Sequence, residues 1–528
     1  MSEGRGINAC EESHDLGLSS FPEERQNIDI GQQIFCNSAV NMNSIVAVGF
    51  DMDYTLAQYK PETFESLAYY GTVEKLVRNL GYPKELLEWS FDWTYMVRGL
   101  VLDKKRGNIL KMDRHKYVKI AYHGFRLLSK DEKVATYGNT FIKDAFDGPD
   151  YAHIDTFFSL AESYLFAQLV DYKDNNPGQI SEVKDYSRIY ADVRSAVDMC
   201  HRDGTLKEMV AKDPKKYINE DDTIIPMLKM LKSSGRTIFL VTNSLWDYTH
   251  VVMNFLIEAR TINSSSSLSS NWLQYFDFVI TGSAKPSFFM IKIVLIFLRL
   301  RRSQGSLLTP TMVLRLLRFV GGPAAELPDQ IPNKHYKVFQ GGNVSHLHKL
   351  LNVGSSSQVL YVGDHIYGDI LRSKKALGWR TMFIVPELEK EARILSSSSE
   401  TRKKLKLLRG ERDKIEDQVH HLKWSLEHED MDNSEKEKLI AKLELLEGYR
   451  ARVRAAHQEA QRSFHQQFHP VWGQIMKAGF QNSRFAHQVE RFACLYTSQV
   501  GNLGLYSPNK YYRPVENFMV HESNVLSL

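Results

Sequence analysis

Cysteine is scarce in this 528-residue chain. Cys10, Cys36, Cys200 and Cys494 are the only four, and no two form a CxxC pair. That excludes a zinc ribbon and a thioredoxin motif, and the scatter suits a reduced cytosolic protein rather than a disulfide scaffold. Charge of one sign is also lacking. Lys and Arg total 67 against 63 Asp and Glu, a net charge of +4. So near a balance gives no basis for binding nucleic acid or an anionic membrane, and neither is expected as a partner. Long apolar runs are absent too. The most apolar, Met290 to Leu298, is interrupted by Lys292 and followed by Arg299, Arg301 and Arg302, too short to span a bilayer. The first residues carry Glu3, Glu11, Glu12 and Asp15 and no apolar segment, unlike a secretory or organellar leader. A cytoplasmic protein is expected.

What is present is ample core material, 43% hydrophobic residues, enough for several domain-sized units. Residues 1–40 are polar and unpatterned. Ile45–Phe50, Thr237–Val241, Phe276–Ile280, Gln358–Val362 and Thr381–Val385 read as short buried strands, with helical stretches between most of them. That alternation predicts an α/β fold with a Rossmann-like parallel sheet. The first two strands lie too far apart for one crossover helix. An inserted, mainly helical domain is therefore expected at 56–221, leaving a core of 41–55 and 222–397.

Residues 398–515 predict a C-terminal helical region. Within it, Leu408, Ile415, Val419, Leu422 and Leu426 form one stripe, and Leu439, Leu443, Leu446 and Val453 a second, with a break at Asp430 to Asn433. Ser434 and Glu437 suggest a capping box. This is a helical hairpin, read as a packed stripe with solvated faces in preference to a partner-binding coil.

Each core strand ends in polar residues, where open α/β sheets bind ligands. The first ends Asp51-Met-Asp53-Tyr-Thr55, its two carboxylates at i and i+2 on one side. The second ends Thr242-Asn243-Ser244, hydroxyl and amide donors suited to an oxyanion. Lys285 follows the third, and Gly363-Asp364-His-Ile-Tyr-Gly-Asp369 ends the fourth. Crowded carboxylates repel unless a cation offsets them, and hard oxygen ligands favour Mg²⁺. A Lys and hydroxyls beside that metal favour a phosphate.

Taken in order, these segments resemble the haloacid dehalogenase-like phosphatases, whose pattern is DxDx[TV], [ST], Lys and GDxxxxD. The resemblance implies Asp51 as nucleophile and Asp53 as general acid and base. It implies Mg²⁺ held by Asp51, the Asp53 carbonyl and Asp364, with Asp369 supporting the metal waters and Lys285. Thr242 and Lys285 would bind the phosphoryl oxygens. A closer resemblance, carried by Phe50–Leu56 and Tyr361–Leu371, is to the cytosolic purine 5′-nucleotidases specific for IMP and GMP. It covers about residues 44–289 and 335–515. It implies hydrolysis of a purine nucleoside 5′-monophosphate, with transfer of the phosphoryl group to another hydroxyl also open, and a homo-oligomer. Arg194, Asp198 and His201 lie at i, i+4 and i+7 on one helix face. With Lys207 and Phe158 they resemble that family's nucleotide contacts; without the resemblance, Arg194 and Asp198 read as a surface ion pair and Phe158 as a core aromatic. Two other functions stay open: a phosphatase of the same family acting on another metabolite, and a low-turnover interaction protein, which the intact Asp51/Asp53/Lys285/Asp364 set argues against.

Two departures stand out. The resemblance places Asp144 and Asp155 where the purine enzyme uses an Arg and an Asn to bind an activating ATP. Residues 290–334 lose the resemblance, and from Met290 to Ala325 they contain no Asp or Glu. A shifted reading frame or retained intron accounts for that composition better than a basic amphipathic segment, because the arginines form no helical stripe.

Overall fold

The computed structural model describes residues 28–138, 145–180, 184–257, 271–289, 318–319 and 338–516. Asp144 and, but for Arg318 and Phe319, the anomalous stretch 290–334 lie outside them.

Among the described residues, seven parallel strands form the core: β1 (Ala47–Phe50), β2 (Thr237–Val241), β3 (Phe278–Thr281), β4 (Val338–Gln340), β5 (Val359–Gly363), β6 (Arg380–Ile384) and β7 (Leu495–Thr497). Their order is β7-β6-β5-β1-β2-β3-β4, with Phe35–Cys36 pairing antiparallel to β7 and Arg318–Phe319 antiparallel to β4. All five strands expected from the sequence are here. The central ones are buried on both faces, which is why they read as unbroken apolar runs. Phe50, Leu240 and Val362 pack in one cluster, while Ala47, Phe239, Val241 and Tyr361 pack in another. The architecture is an open α/β fold with a Rossmann-like parallel sheet, as expected. β1, β2, β3 and β5 end side by side, so their polar termini converge on one edge.

The insertion between β1 and β2 is mainly helical, as expected. It contains α1 (Pro61–Leu80), α2 (Leu160–Asn175), α3 (Tyr186–Arg202) and α4 (Thr205–Lys212). It also holds a five-stranded antiparallel sheet that the helical reading missed: Arg126–Leu127, Val118–His123, Asn108–Met112, Leu100–Asp103 and Tyr151–Ile154, in that order. Leu100, Leu102, Ile109 and Ile154 join the main core from one face, and Val101, Leu110, Met112 and Ala121 form a separate core on the other. Burial on both faces removes the polar alternation that marks a half-exposed strand.

The C-terminal hairpin is α5 (Ser399–His428) packed on α6 (Asn433–Gln466). Its dry seam is short: Ile415, Val419 and Val453, flanked by Leu443 and Leu446. Arg454 with Glu416 (2.6 Å) and Lys423 with Glu447 (2.8 Å) bridge the two helices. The cap differs from expectation. Asp432 accepts from Glu435 N at 2.7 Å and starts α6 at Asn433, one residue before Ser434. An Asp side chain two residues earlier satisfies the free amide, so the Ser434 box is not used.

Candidate active site

Asp51 follows β1 directly and is 8% exposed. Its Oδ1 accepts from Met52 N (2.7 Å) and lies 2.8 Å from Lys285 Nζ. Burial pushes the Asp51 carboxyl up to about 7; Lys285 opposes that, and the charges of Asp369 and Asp53 add to it. Asp53 is held at both oxygens: Tyr59 donates to Oδ1 (2.6 Å) and Ser244 Oγ to Oδ2 (2.8 Å). Directly after Asp53, Tyr54 adopts φ +55°, a strained conformation for a bulky residue in a loop that must turn both carboxylates inward.

Lys285 sits under the site with its side chain 3% exposed. Its ammonium contacts Asp51 (2.8 Å) and Asp369 Oδ1 (2.7 Å) and donates to Tyr361 Oη (3.2 Å). Burial disfavours that charge, but the carboxylates of Asp369 and Asp51 prevail and hold its pKa well above the ordinary value.

Asp364 and Asp369 come from the turn after β5. A Cβ on Gly363 would stand 2.5 Å from Asp369 Cβ, so only glycine lets Asp369 fold back against the strand end. Asp369 Oδ2 accepts from His365 N at 3.2 Å. Asp364 is 3% exposed, and its Oδ2 has no partner among the described residues. Burial first, then the charges of Asp369 and Asp51, raise its pKa well above the usual range. One oxygen each from Asp51, Asp364 and Asp369 lies within 4.8 Å of the others. Three buried carboxylates so close repel, and an unpartnered buried oxygen among them lacks a positive partner. This donor set fits a hard divalent cation.

The other expected residues divide. Thr242 is fully buried at the end of β2, where its Oγ1 accepts from Ser244 N at 3.1 Å. Asn243 and Ser244 differ from the expectation of phosphate donors. Asn243 brackets the Lys285 backbone, accepting from its N–H (2.6 Å) and donating to its C=O (3.2 Å). Ser244 holds Asp53. An amide matches both backbone groups of a neighbouring loop, so the tight turn uses Asn243 as a clamp.

Phe158 meets Tyr54 edge-on (4.9 Å between centroids) and His201 (6.3 Å). Partial desolvation, then Arg194 and Lys207, push the His201 imidazole below its ordinary pKa; Asp198 and Asp53 act the other way. Lys207 stands over the Tyr248 ring (5.7 Å), and Tyr248 Oη is 3.0 Å from Tyr59 Oη, which binds Asp53. Arg194 and Asp198 stand beside this group. Arg194 is paired with Glu162 and with Asp198, both at 2.8 Å, and the pair faces a separate surface depression with Lys104 and Tyr190. The buried Glu162, which lines one cavity with Phe158 and His201, holds the guanidinium.

Three residues that the sequence did not mark complete the site. Tyr361 Oη accepts from Lys285 and donates to Val241 O (3.1 Å), tying β5 to β2 beneath the lysine. Tyr59 orients Asp53. Arg98, from the insertion, is fully buried. It binds Glu387 through two nitrogens (2.8 and 2.6 Å) and donates to the Asp364 carbonyl (3.1 Å). The neighbouring Gly99 (φ +88°) leaves room for Phe485, which a Cβ would meet at 2.6 Å. An isolated Arg in sequence reads as surface, so nothing foretold its burial.

Residues 34–524 match the 5′ nucleotidase family. The chain belongs to that family. A 5′-nucleotidase domain-containing protein of Dictyostelium discoideum is 28% identical over 499 residues, covering 93% of this chain and 75% of its own. Proteins called 5′-nucleotidase domain-containing protein 2 are 26% identical in rat (97% of this chain, 83% of that one) and 26% in human (93% and 85%). Membership in the 5′ nucleotidase family makes this a phosphoric monoester hydrolase, and the acidic pocket between β1 and β5 suits the divalent metal that the family generally uses.

Proposed function

We propose that the protein hydrolyses purine nucleoside 5′-monophosphates of the IMP and GMP type through an aspartyl-phosphate, with Mg²⁺ bound. The observation that carries this reading is the junction of Lys285 with Asp51 and Asp369 beside the unpartnered Oδ2 of Asp364.

Asp51 Oδ1 takes the bonds from Met52 N and Lys285, leaving Oδ2 to attack phosphorus. The P–O bond to the nucleoside breaks as the Asp51–phosphate bond forms. Asp53, fixed by Tyr59 and Ser244, gives its proton to the departing oxygen, then takes one from the water that frees phosphate and restores Asp51. Lys285 and Thr242 hold the phosphoryl oxygens. Asp51, the Asp53 carbonyl and Asp364 would hold the Mg²⁺, with Asp369 behind them. The cation would supply positive charge against the carboxylates and the phosphate. Another nucleoside hydroxyl in place of water would make the same step a phosphotransfer.

The test is phosphate release across nucleoside monophosphates and base-free phosphate esters, with Mg²⁺ and with EDTA. Preference for purine 5′-monophosphates that EDTA abolishes supports the reading. Equal turnover of unrelated esters would replace the nucleotide with another metabolite.

A further inference from the structure

Glu65, on α1, lines a narrow cavity with Phe64, Phe158, Glu162, Cys200 and His201, the space enclosed by α1, α2 and α3. It is 1% exposed. Its Oε1 accepts from Tyr54 Oη, but its Oε2, buried in the same wall, has no partner among the described residues. Glu162, the other carboxylate of the cavity, is bound by Arg194. A buried acceptor or donor left unmatched costs about 1–3 kcal/mol, so such an atom is ordinarily matched by water or ligand. The cavity has room for about one water-sized atom. Tyr54, which holds Glu65, follows Asp53 in the chain, and Phe158 packs on that same Tyr54.

We propose that Glu65 recognises the nucleobase of the substrate, its Oε2 making a hydrogen bond to an acceptor atom on the edge of the base. This rests on the nucleotide reading above and adds to it a residue that selects for the base. Burial raises the Glu65 carboxyl to about 8, against the opposing Tyr54 bond. At neutral pH Oε1 is then the acceptor for Tyr54, and Oε2–H is a donor with no partner. The groups facing it are Tyr54 from the loop after β1, Glu162 from α2 with Arg194 bound to it, and Cys200 and His201 from α3; α4 contributes only Leu206. A neutral carboxyl donor suits a ring nitrogen or carbonyl oxygen, not a phosphate.

The experiment compares IMP with ribose 5-phosphate, which keeps the phosphate and sugar but lacks the base, for wild type, Glu65→Gln and Glu65→Ala. Glu65→Gln preserves an acceptor for Tyr54 and a donor for the base. It should leave the KM for IMP within about threefold at pH 7. Glu65→Ala should raise that KM about tenfold, the equivalent of one hydrogen bond, with little effect on ribose 5-phosphate. Above pH 8 the wild-type KM for IMP should rise relative to Glu65→Gln, because only the wild type loses its donor. If Glu65→Ala weakens both substrates equally, Glu65 merely supports Tyr54 and the inference falls while the nucleotide reading stands. Where the Ala variant does not fold, matching pH profiles of wild type and Glu65→Gln overturn the inference just as well. A wild type that prefers ribose 5-phosphate to IMP overturns both.

Discussion

The Lys285 ammonium lies 2.8 Å from Asp51 and 2.7 Å from Asp369, joining the loop after β3 to the ends of β1 and β5. With all three side chains buried, the lysine is the one cation within contact of these carboxylates among the described residues. Lys285→Met should therefore lower metal-free stability by about 3–5 kcal/mol, the usual result of removing one partner from a buried ion pair. Thermal unfolding with and without Mg²⁺ measures it, and added metal should restore part of the loss.

Asp51→Asn should reduce turnover at least about 1,000-fold by removing the nucleophile. The amide keeps the side chain's shape and escapes the burial penalty, and the lesser repulsion from Asp369 and Asp53, that raise the Asp51 pKa to about 7. Metal-free thermal stability should accordingly not fall. Substantial phosphate release by the pure variant would sink the aspartyl-phosphate mechanism.

Arg194→Ala tests the pair with Asp198. A charged hydrogen bond to substrate is worth about 1.5–3 kcal/mol, so the KM for IMP or GMP should rise about 10- to 100-fold while p-nitrophenyl phosphate is affected much less. Equal losses on both substrates would show that Arg194 serves only to neutralise Glu162, which it meets at 2.8 Å.

ATP should activate weakly or not at all. Asp155 is 2% exposed with Arg484 Nη1 3.7 Å away, and a carboxylate there opposes a polyphosphate. Initial rates on IMP at matched free Mg²⁺, with and without millimolar ATP, decide the matter. Strong activation would place the effector elsewhere.

Glu391 predicts a pH dependence of stability away from the metal pocket. Its carboxylate accepts from Ile475 N (2.7 Å) and Met476 N (3.3 Å), yet burial raises its pKa from 4.5 to about 7. The folded protein thus keeps a proton that the unfolded chain has released. The contribution is fully present below about pH 4.5 and is lost as pH rises through 7. Glu391→Gln should flatten the fall in melting temperature between about pH 5 and pH 8. An unchanged slope would assign that fall to other groups.

The strands and their polar ends were legible because a doubly covered parallel strand must be apolar throughout and must then stop in polar residues at the ligand edge. Asp51, Asp53, Lys285, Asp364 and Asp369 could be picked out for that reason, and the length of chain between β1 and β2 called for the insertion. The insertion's sheet was not legible, since burial on both faces erased its alternation. Nor were Arg98, Tyr361, Tyr59 and Glu65: each is an ordinary surface or core residue by type, and its role comes from partners far off in the chain. Only tertiary packing could direct Arg194 to Glu162, set Asn243 to clamp Lys285, and leave one oxygen of Glu65 and one of Asp364 buried without a partner. Whether a polar atom is satisfied depends on three-dimensional neighbours, which periodicity and spacing do not encode.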